Sequence, residues 1–282
     1  KLNFIYTVWD LCHRDHPEFP EVRENSEFEM REYTFKSFLP KAIAIIADSQ
    51  EGKNNIIRRY NIDYSRIKVI PFKPSFEIMQ YKKITKDKIL KNKFSLDKTY
   101  IFYPAQYWPH KNHVYIINAI NEIKTKYNLP IYAKFTGSDK GNLEYLKAYT
   151  KALKIDNRIK FYGFVSNIEL IALYKNSLAL VMPSYFGPTN IPPLEAFWLD
   201  VPLIYPSDKS CKEQIGNAAL FMDLENHNTL VENIIKLYEN KRLVKDLIKK
   251  GKKQLEIISK TNETEILEII LTGFANKRIN WN

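Results

Sequence analysis

The chain has few of the residues that mark common nucleotide and metal motifs. Its eight glycines form neither a Gly-x-Gly-x-x-Gly fingerprint nor a P-loop, which argues against dehydrogenases and NTPases. It contains no Gly-x-Ser-x-Gly segment of the hydrolase type. It also lacks an Asp-x-Asp pair that could hold a divalent metal against a diphosphate. We therefore expect neither a bound metal nor a resident cofactor.

Cysteines and long apolar runs are also scarce. Cys12 and Cys211 lie far apart, so a disulfide framework or zinc site is not expected, and a reducing cytoplasm is the default location. There is no run of about 18 apolar residues to span a membrane and no signal-peptide pattern at the start. Since the chain begins at Lys1 and enters a strand-like segment at once, we expect material to be missing upstream.

Acidic residues are fewer than basic ones, with 32 Asp and Glu against 43 Lys and Arg, so the formal net charge is +11. Such a balance suits nucleic acid, anionic membrane or acidic substrates. The lysines are scattered, however, and no basic segment is interleaved with aromatics, so we expect no nucleic acid. Peripheral contact with anionic lipid at the inner face of the membrane is a further expectation for a cytoplasmic protein of this charge.

The second part of the chain alternates short apolar strands with helices. This pattern predicts an α/β protein with a parallel, doubly wound sheet. Ser166-Asn-Ile-Glu169 reads as a capping box that begins one of the helices. The predicted strands are 100–104, 131–135, 158–162, 178–182, 202–205 and 218–221. The predicted helices are 112–126, 142–153, 167–176, 191–199, a short one near Cys211, and 228–239.

Residues 1–72 form a separate βαβ-like piece. Strands are predicted at 4–8, 41–47 and 68–71 and a helix at 53–60, with a polar, acidic stretch at 15–32. A break at Pro71-Phe-Lys-Pro74 and a lysine-rich stretch at 80–93 mark the domain boundary. We therefore predict a first Rossmann-like domain at 1–72, a second at 73–258, and a C-terminal helical tail at 259–282.

The segment after strand 178–182 is the strongest candidate site, because ligands of open α/β sheets bind beyond the carboxyl ends of strands. Asn190 is placed to cap the following helix at Pro192, and helix N-termini bind phosphate. Glu195, one turn in, could accept hydrogen bonds from sugar hydroxyls. The alternative is an ordinary proline-rich loop, in which Pro188 removes one amide donor and Glu195 is a solvated acid.

Three further loops follow predicted strands. Lys111 could reach a diphosphate as a point charge, or be a surface lysine. Gly163-Phe-Val-Ser could bracket a nucleobase, with Phe164 beside it, or be a turn into the capped helix. Asp10 or His13 could act as an acid/base or contact sugar hydroxyls, although a hydrogen-bonded loop histidine carries equal weight. His13-x-x-His16 lacks a third ligand, so a metal is rejected.

Taken together, these segments resemble the retaining glycosyltransferases of the GT-B fold, family 4. The resemblance runs from Phe4 to about Leu255. It rests on Gly163-Phe-Val-Ser-Asn-Ile-Glu, Pro192-Pro-Leu-Glu-Ala, Lys111-Asn, Ile45-Ile-Ala-Asp-Ser, Val201-Pro-Leu-Ile and Glu213-Gln-Ile-Gly-Asn-Ala-Ala-Leu. It implies two Rossmann-like domains that face each other across a cleft, the first one here incomplete.

The resemblance also implies a role for each site residue. The C-terminal domain would hold a nucleoside-diphosphate sugar, with Glu195 on the ribose hydroxyls and Lys111 on the diphosphate. The remaining donor contacts would come from Thr189, Asn190, Ile191, Phe164 and Val165.

The chain departs from the family at three positions. Gly187 stands where the first glutamate of the family's Glu-x7-Glu motif is expected. Gln106 lies near the position where the family often has an arginine paired with the lysine. Trp9-Asp10 replaces the family's His-Asp pair, unless His13 substitutes for the histidine.

We therefore expect a glycosyltransferase that moves a sugar from a nucleoside-diphosphate sugar to the hydroxyl of a glycan or lipid-linked glycan, with retention. Cell-surface polysaccharide or lipopolysaccharide synthesis is the expected context. The main alternative is a non-catalytic nucleotide-sugar-binding module. A Rossmann-type sugar-phosphate epimerase is disfavoured by the missing glycine fingerprint.

Overall fold

The computed structural model describes residues 2–80, 88–187 and 189–281. Its contacts divide the chain into two compact units. The first comprises Lys1–Phe72, Gly187–Thr189 and Glu256–Asn282, and the second comprises Lys73–Phe186 and Asn190–Leu255. Most of the lysine-rich stretch invoked above, at 81–87, and Pro188 lie outside the described residues.

The first unit contains a parallel sheet with strands in the order β1-β2-β3. These are β1 (Ile5–Val8), β2 (Ala44–Ala47) and β3 (Ile67–Val69). The sheet packs through fully buried aliphatic side chains such as those of Ile45 and Ile67. Its helices are α1 (Cys12–Asp15), α2 (Pro20–Arg23), α3 (Glu27–Phe38) and α4 (Gln50–Tyr60).

Helix α3 was not expected, because its sequence reads as part of a polar, acidic stretch. The buried face of α3 includes Glu32, which is only 7% exposed. A charged residue at a buried position interrupts the apolar periodicity by which an amphipathic helix is recognised in a sequence. The Glu32 carboxylate accepts hydrogen bonds from Arg14, from the Tyr60 hydroxyl at 2.7 Å and from Lys36 at 3.1 Å. His13 Nε2 lies 2.9 Å from its Oε1. A buried carboxylate is tolerated here because charged and polar partners surround it.

The second unit contains a six-stranded parallel sheet with the order β6-β5-β4-β7-β8-β9. Counted within the unit this is 3-2-1-4-5-6, the doubly wound Rossmann order. Every strand predicted for this unit is present, with bounds shifted by at most two residues. The strands are β4 (Tyr100–Pro104), β5 (Tyr132–Thr136), β6 (Ile159–Tyr162), β7 (Ala179–Val181), β8 (Leu203–Pro206) and β9 (Leu220–Met222).

A helix follows each strand of the second unit, and two more of the described helices precede its first strand. The predicted capping box is confirmed, since Ser166 and Glu169 bond each other's backbone N–H. The helix expected at 112–126 begins at His113, because Asn112 is left-handed (φ 55°), and its last turn is a π-helix. The helices are α5 (Phe76–Gln80), α6 (Lys88–Phe94), α7 (His113–Glu122), α8 (Leu143–Ala152), α9 (Asn167–Lys175), α10 (Ile191–Trp198), α11 (Lys209–Ile215) and α12 (Asn228–Glu239).

Two long helices end the chain, α13 (Lys241–Ser259) and α14 (Glu263–Arg278). Gly251 of α13 meets the Phe197 ring of α10, where an added Cβ would lie 2.6 Å from a ring carbon. Among the residues that the structure describes, no helix is both long and apolar enough to cross a membrane.

Removing the Glu32 carboxylate should destabilise the protein. We expect Glu32→Ala to lower the free energy of unfolding by about 3 kcal/mol, because buried His13 and half-buried Arg14 lose their common partner. Urea denaturation at pH 7 measures this, and exposed Glu144→Ala, which removes a surface ion pair with Lys147, is the control. Equal stability of the two variants would contradict the interpretation.

The same carboxylate makes stability depend on acid. The hydrogen bond from Arg14 holds the pKa of Glu32 far below its ordinary value of 4.5. The unfolded chain therefore takes up this proton first as the pH falls, and stability is lost below about pH 4.5. In Glu32→Ala this part of the acid sensitivity should be absent.

Candidate functional site

The candidate site of the second unit lies where the strand order reverses, between β4 and β7. These neighbours pair in parallel, Ile101 with Ala179 and Phe102 with Leu180, so the loops that follow them emerge at the same edge. The loops contact each other: the Tyr185 N–H donates to the His110 carbonyl at 3.0 Å. The His110 and Phe186 rings stack at 4.3 Å. In open α/β sheets this switch point is the place where ligands bind.

Lys111 brings a positive charge to this edge. It is half-buried in a short turn, two residues before α7, and its Nζ lies 3.5 Å from the Ser184 hydroxyl. Ser184 follows β7 and is itself held by donation to the Phe186 carbonyl at 2.8 Å. The two loops thus place an ammonium and a hydroxyl side by side, a combination suited to phosphate oxygens.

The start of α10 offers fewer amides than expected. Asn190 occupies the cap position, but its side chain does not cap the helix and instead donates to the Tyr205 hydroxyl at 2.7 Å. Its backbone N–H donates to Gln214 Oε1 at 3.1 Å, and Gln214 donates back to the Asn190 carbonyl. Pro192 and Pro193 have no N–H, so Ile191 is the only one of the first three helical residues that carries one. The expected capping role of Asn190 is therefore wrong.

Glu195 is buried and fully engaged. It is 8% exposed, and its two carboxylate oxygens accept hydrogen bonds from Ser75 Oγ at 2.5 Å and the Tyr174 hydroxyl at 3.1 Å. Burial raises the pKa of Glu195, and the two hydroxyl donors offset part of that rise. The alternative of a solvated helical acid is therefore wrong. The carboxylate is already arranged to accept bonds from hydroxyl groups.

The segment predicted to bracket a base follows β6 on the outer part of the sheet. Phe164 is 91% exposed, and Val165 is half-buried. The Gly163 carbonyl accepts a hydrogen bond from the N–H of Gly137, which follows β5. Gly137 cannot be replaced, because a Cβ would lie 2.3 Å from the Ala105 carbonyl oxygen. Exposed Gln106 accepts a bond from the Trp108 indole at 2.9 Å.

Gly187 and Thr189 belong to the first unit by their contacts. The Thr189 hydroxyl donates to the buried carboxylate of Asp48, and the Gly187 N–H points to Cys12 Sγ at 3.5 Å. Gly187 has φ 85°, a conformation that favours glycine. A glutamate at this position would be strained, which gives a backbone reason for the departure from the family pattern.

Asp10 follows β1 in the first unit and is held as an anion. Its Oδ1 accepts bonds from Arg31 at 2.7 Å and from the Cys12 N–H at 2.8 Å. Burial alone would raise the pKa of Asp10, but Arg31 and the Cys12 N–H lower it below the usual value. Asp10 is thus suited to stabilise positive charge or accept hydroxyl hydrogen bonds.

His13 lies in a different setting. It is fully buried, and its ring packs against Phe28 and Phe35. Burial lowers the pKa of His13 below its ordinary value, and the hydrogen bond to Glu32 offsets part of that decrease. The contacts favour a role in positioning α1 and α3, and the catalytic role expected for His13 stays a prediction.

Trp9 was noted in the sequence only as the replacement for a histidine. Its indole is 60% exposed and stacks on Phe72 at 5.1 Å with an 18° interplanar angle. The two rings follow β1 and β3, which flank β2, so they form a stacked aromatic pair at the carboxyl edge of the sheet. A tryptophan directly after a predicted strand was the signal available in the sequence.

Within residues 2–80, 88–187 and 189–281, no three His, Cys, Asp or Glu side chains are grouped so that they could hold a metal ion.

Comparison with known families assigns the chain. The sequence profile described as "Glycosyl transferases group 1" matches residues 84–254, more than half of the 282 residues. The chain therefore belongs to this glycosyltransferase family. The match covers β4 to α12 and includes Lys111 and Glu195.

Individual relatives agree with this assignment. The chain is 27% identical over 212 residues to the O-antigen chain mannosyltransferase RfbU of Salmonella typhimurium, which covers 73% of this chain and 54% of RfbU. The chain thus spans about half the length of that relative.

Solved structures show the fold. Sucrose-phosphate synthase from Thermosynechococcus elongatus superposes with a TM-score of 0.78 at 15% identity, covering 98% of this chain and 69% of that one. Anabaena HepE, in complex with UDP and glucose, gives 0.73 at 18% identity, covering 98% and 71%. The predicted GT-B architecture is confirmed.

Lys111 should dominate anion binding at the second unit. We expect Lys111→Ala to weaken binding of inorganic pyrophosphate about tenfold, which corresponds to the loss of one charge-assisted hydrogen bond. Isothermal titration calorimetry measures the affinity, and Lys147→Ala removes a lysine paired with Glu144 on α8 as the matched control. Equal affinities of the two variants would contradict the site.

Proposed function

We propose that the chain transfers a sugar from a nucleoside-diphosphate sugar to a hydroxyl of a glycan or lipid-linked glycan. The observation that carries the proposal is the pairing of Lys111 and Ser184 at the β4/β7 switch point, with buried Glu195 on the helix that follows. Family membership supports the same activity. As in family 4, we propose that the reaction retains the anomeric configuration.

The chemistry follows from where charge develops. When the sugar leaves, negative charge builds on the departing nucleoside diphosphate, and fixed positive groups aimed there lower the barrier. Lys111 supplies a full charge, and the start of α10 adds a partial one. We propose that these groups suffice, so that no metal and no resident cofactor is required. Phe164, Val165 and Gln106 are the proposed surroundings of the base.

We propose that the acceptor binds at the first unit, on the edge formed by Trp9, Phe72 and Asp10. Sugar rings have apolar faces that lie well on aromatic side chains, and their hydroxyls suit a carboxylate. The ionised Asp10, held by Arg31, is the proposed partner of the acceptor hydroxyls.

The biological context is proposed from relatives. RfbU is named as an O-antigen chain mannosyltransferase, and one solved structural neighbour, WaaG, is described as involved in lipopolysaccharide biosynthesis. We therefore propose cell-surface polysaccharide or lipopolysaccharide synthesis in the cytoplasm. The net charge of +11 supports peripheral contact with anionic lipid at the inner membrane face.

A non-catalytic nucleotide-sugar-binding module is the second candidate. It is favoured by Gly187, which stands where the family motif has a glutamate. The φ of 85° at Gly187 disfavours a glutamate at this position. A panel of nucleotide-sugars separates the two candidates, since binding without donor hydrolysis or transfer would support the module.

Lys111→Ala and Glu195→Ala should both abolish transfer while leaving the protein folded. The first variant removes the charge that stabilises the leaving group, and the second removes the acceptor of the ribose hydroxyls. Transfer from the best donor of the panel is measured with EDTA present, and circular dichroism checks the fold. Near-normal rates in either variant would overturn the site assignment.

Trp9→Ala should raise the acceptor KM about tenfold, since aromatic stacking contributes roughly 1 kcal/mol or more. The donor KM should not change. Trp9→Phe keeps a flat ring and should restore most of the loss. Equal effects of Trp9→Ala on both KM values would argue against an acceptor contact.

A further inference from the structure

The hydrogen bonds of Glu195 differ in how firmly they are held. Tyr174 is fully buried, and its ring packs edge-on against Phe102 with centroids 5.0 Å apart. Its hydroxyl donates to Glu195 Oε2 at 3.1 Å. Because the ring is fixed by packing, this donor cannot leave without disturbing the core. Tyr174 therefore sets the orientation of the carboxylate.

Ser75 holds the other oxygen from a less constrained place. It is half-buried, immediately precedes the five-residue helix α5, and donates to Glu195 Oε1 at 2.5 Å. A serine hydroxyl rotates about a single bond, so it can release its acceptor without moving the backbone. Oε1 is thus the oxygen that a ligand can reach at the lowest cost.

We propose that Ser75 is a latch on the donor site: its hydroxyl occupies Glu195 Oε1 when the site is empty and gives way to a ribose hydroxyl of a nucleoside diphosphate. Tyr174 is the matching positioning residue, which keeps Oε2 bonded throughout. This inference rests on the proposed function, because it takes Glu195 to be the ribose contact.

The energetics explain why such a latch is useful. A buried carboxylate without a donor loses the full cost of its desolvation, so the empty site needs a substitute for the ligand. Exchange of one hydroxyl for another keeps the carboxylate satisfied in both states. The exchange also has a consequence for affinity, because every binding event must break the bond from Ser75.

The latch predicts that a loss of hydrogen bonding tightens binding. In Ser75→Ala, we expect the dissociation constant of the best-bound nucleoside diphosphate, chosen from UDP, GDP, ADP and CDP, to fall about threefold to tenfold. Ser75→Thr keeps the hydroxyl and should bind as the wild-type protein does. Isothermal titration calorimetry at pH 8 measures the affinities, since burial raises the pKa of Glu195 and the carboxyl must be ionised.

A ligand without the ribose diol tests whether competition between Ser75 and the ribose hydroxyls causes the tighter binding. With the corresponding 2′,3′-dideoxynucleoside diphosphate, Ser75 has no competitor, so wild type and Ser75→Ala should bind equally. If Ser75→Ala tightened both ligands alike, a general opening of the site would explain the effect, and the latch would be overturned.

Tyr174→Phe should act in the opposite direction. It keeps the ring but frees Oε2, so we expect binding of the ribose-containing ligand to weaken about tenfold. Tyr100→Phe is the matched control, because Tyr100 is equally buried and donates to the Leu173 carbonyl at 2.7 Å. Both variants should melt at lower temperature, and only Tyr174→Phe should lose affinity.

The remaining outcomes are distinguishable. Unchanged or weaker binding in Ser75→Ala, with normal binding in the wild type, would overturn the latch and leave the proposed function intact. A wild-type protein that binds none of the four nucleotides would overturn the proposed function, and the latch with it.

Discussion

The parallel pairing of β4 with β7 is the constraint on which the functional account depends. Because β4 is followed by β5 on one side and the chain then returns to place β7 on the other, the strand order reverses between β4 and β7, and the loops that follow these two strands leave the sheet at the same edge. A crevice at that edge follows from the connectivity alone. Lys111 and Ser184 meet there, and α10 begins beyond it. Replacing side chains would change what binds, but the strand order decides where.

The start of α10 has few free N–H groups that could bind an anion. The helix that follows β7 starts with Ile191 and two prolines, and the N–H of Asn190 is already bonded to Gln214. The start of α10 is therefore poor in donors, and the ammonium of Lys111 brings a full positive charge to the same edge. The buried carboxylate of Glu195 accepts hydrogen bonds from the hydroxyl groups of Tyr174 and Ser75. A site of this kind has few redundant contacts to the ligand, so loss of the Lys111 ammonium or of the Glu195 carboxylate should be costly.

Local patterns made much of this fold predictable. Strand β4 and helix α12 have the predicted bounds, and the Ser166/Glu169 capping box is present, because each is marked by a pattern in neighbouring residues of the sequence. Helix α3 was missed because its buried face carries Glu32, whose partners include side chains of two other helices, α1 and α4. The side chain of Asn190 was misassigned because Tyr205, its actual partner, is a tertiary neighbour. The burial of Glu195 and the backbone conformation of Gly187 likewise depend on contacts that sequence spacing does not reveal.

The central claim is that a nucleoside diphosphate binds at the β4/β7 switch point of the second unit. A crystal structure of the protein with its preferred nucleoside diphosphate tests this most directly. The account predicts a phosphate oxygen within hydrogen-bond distance of Lys111 Nζ and a ribose hydroxyl on Glu195 Oε1, with the Ser75 hydroxyl turned away. Density for the nucleotide at any other place, with the Ser75–Glu195 bond intact, would contradict it.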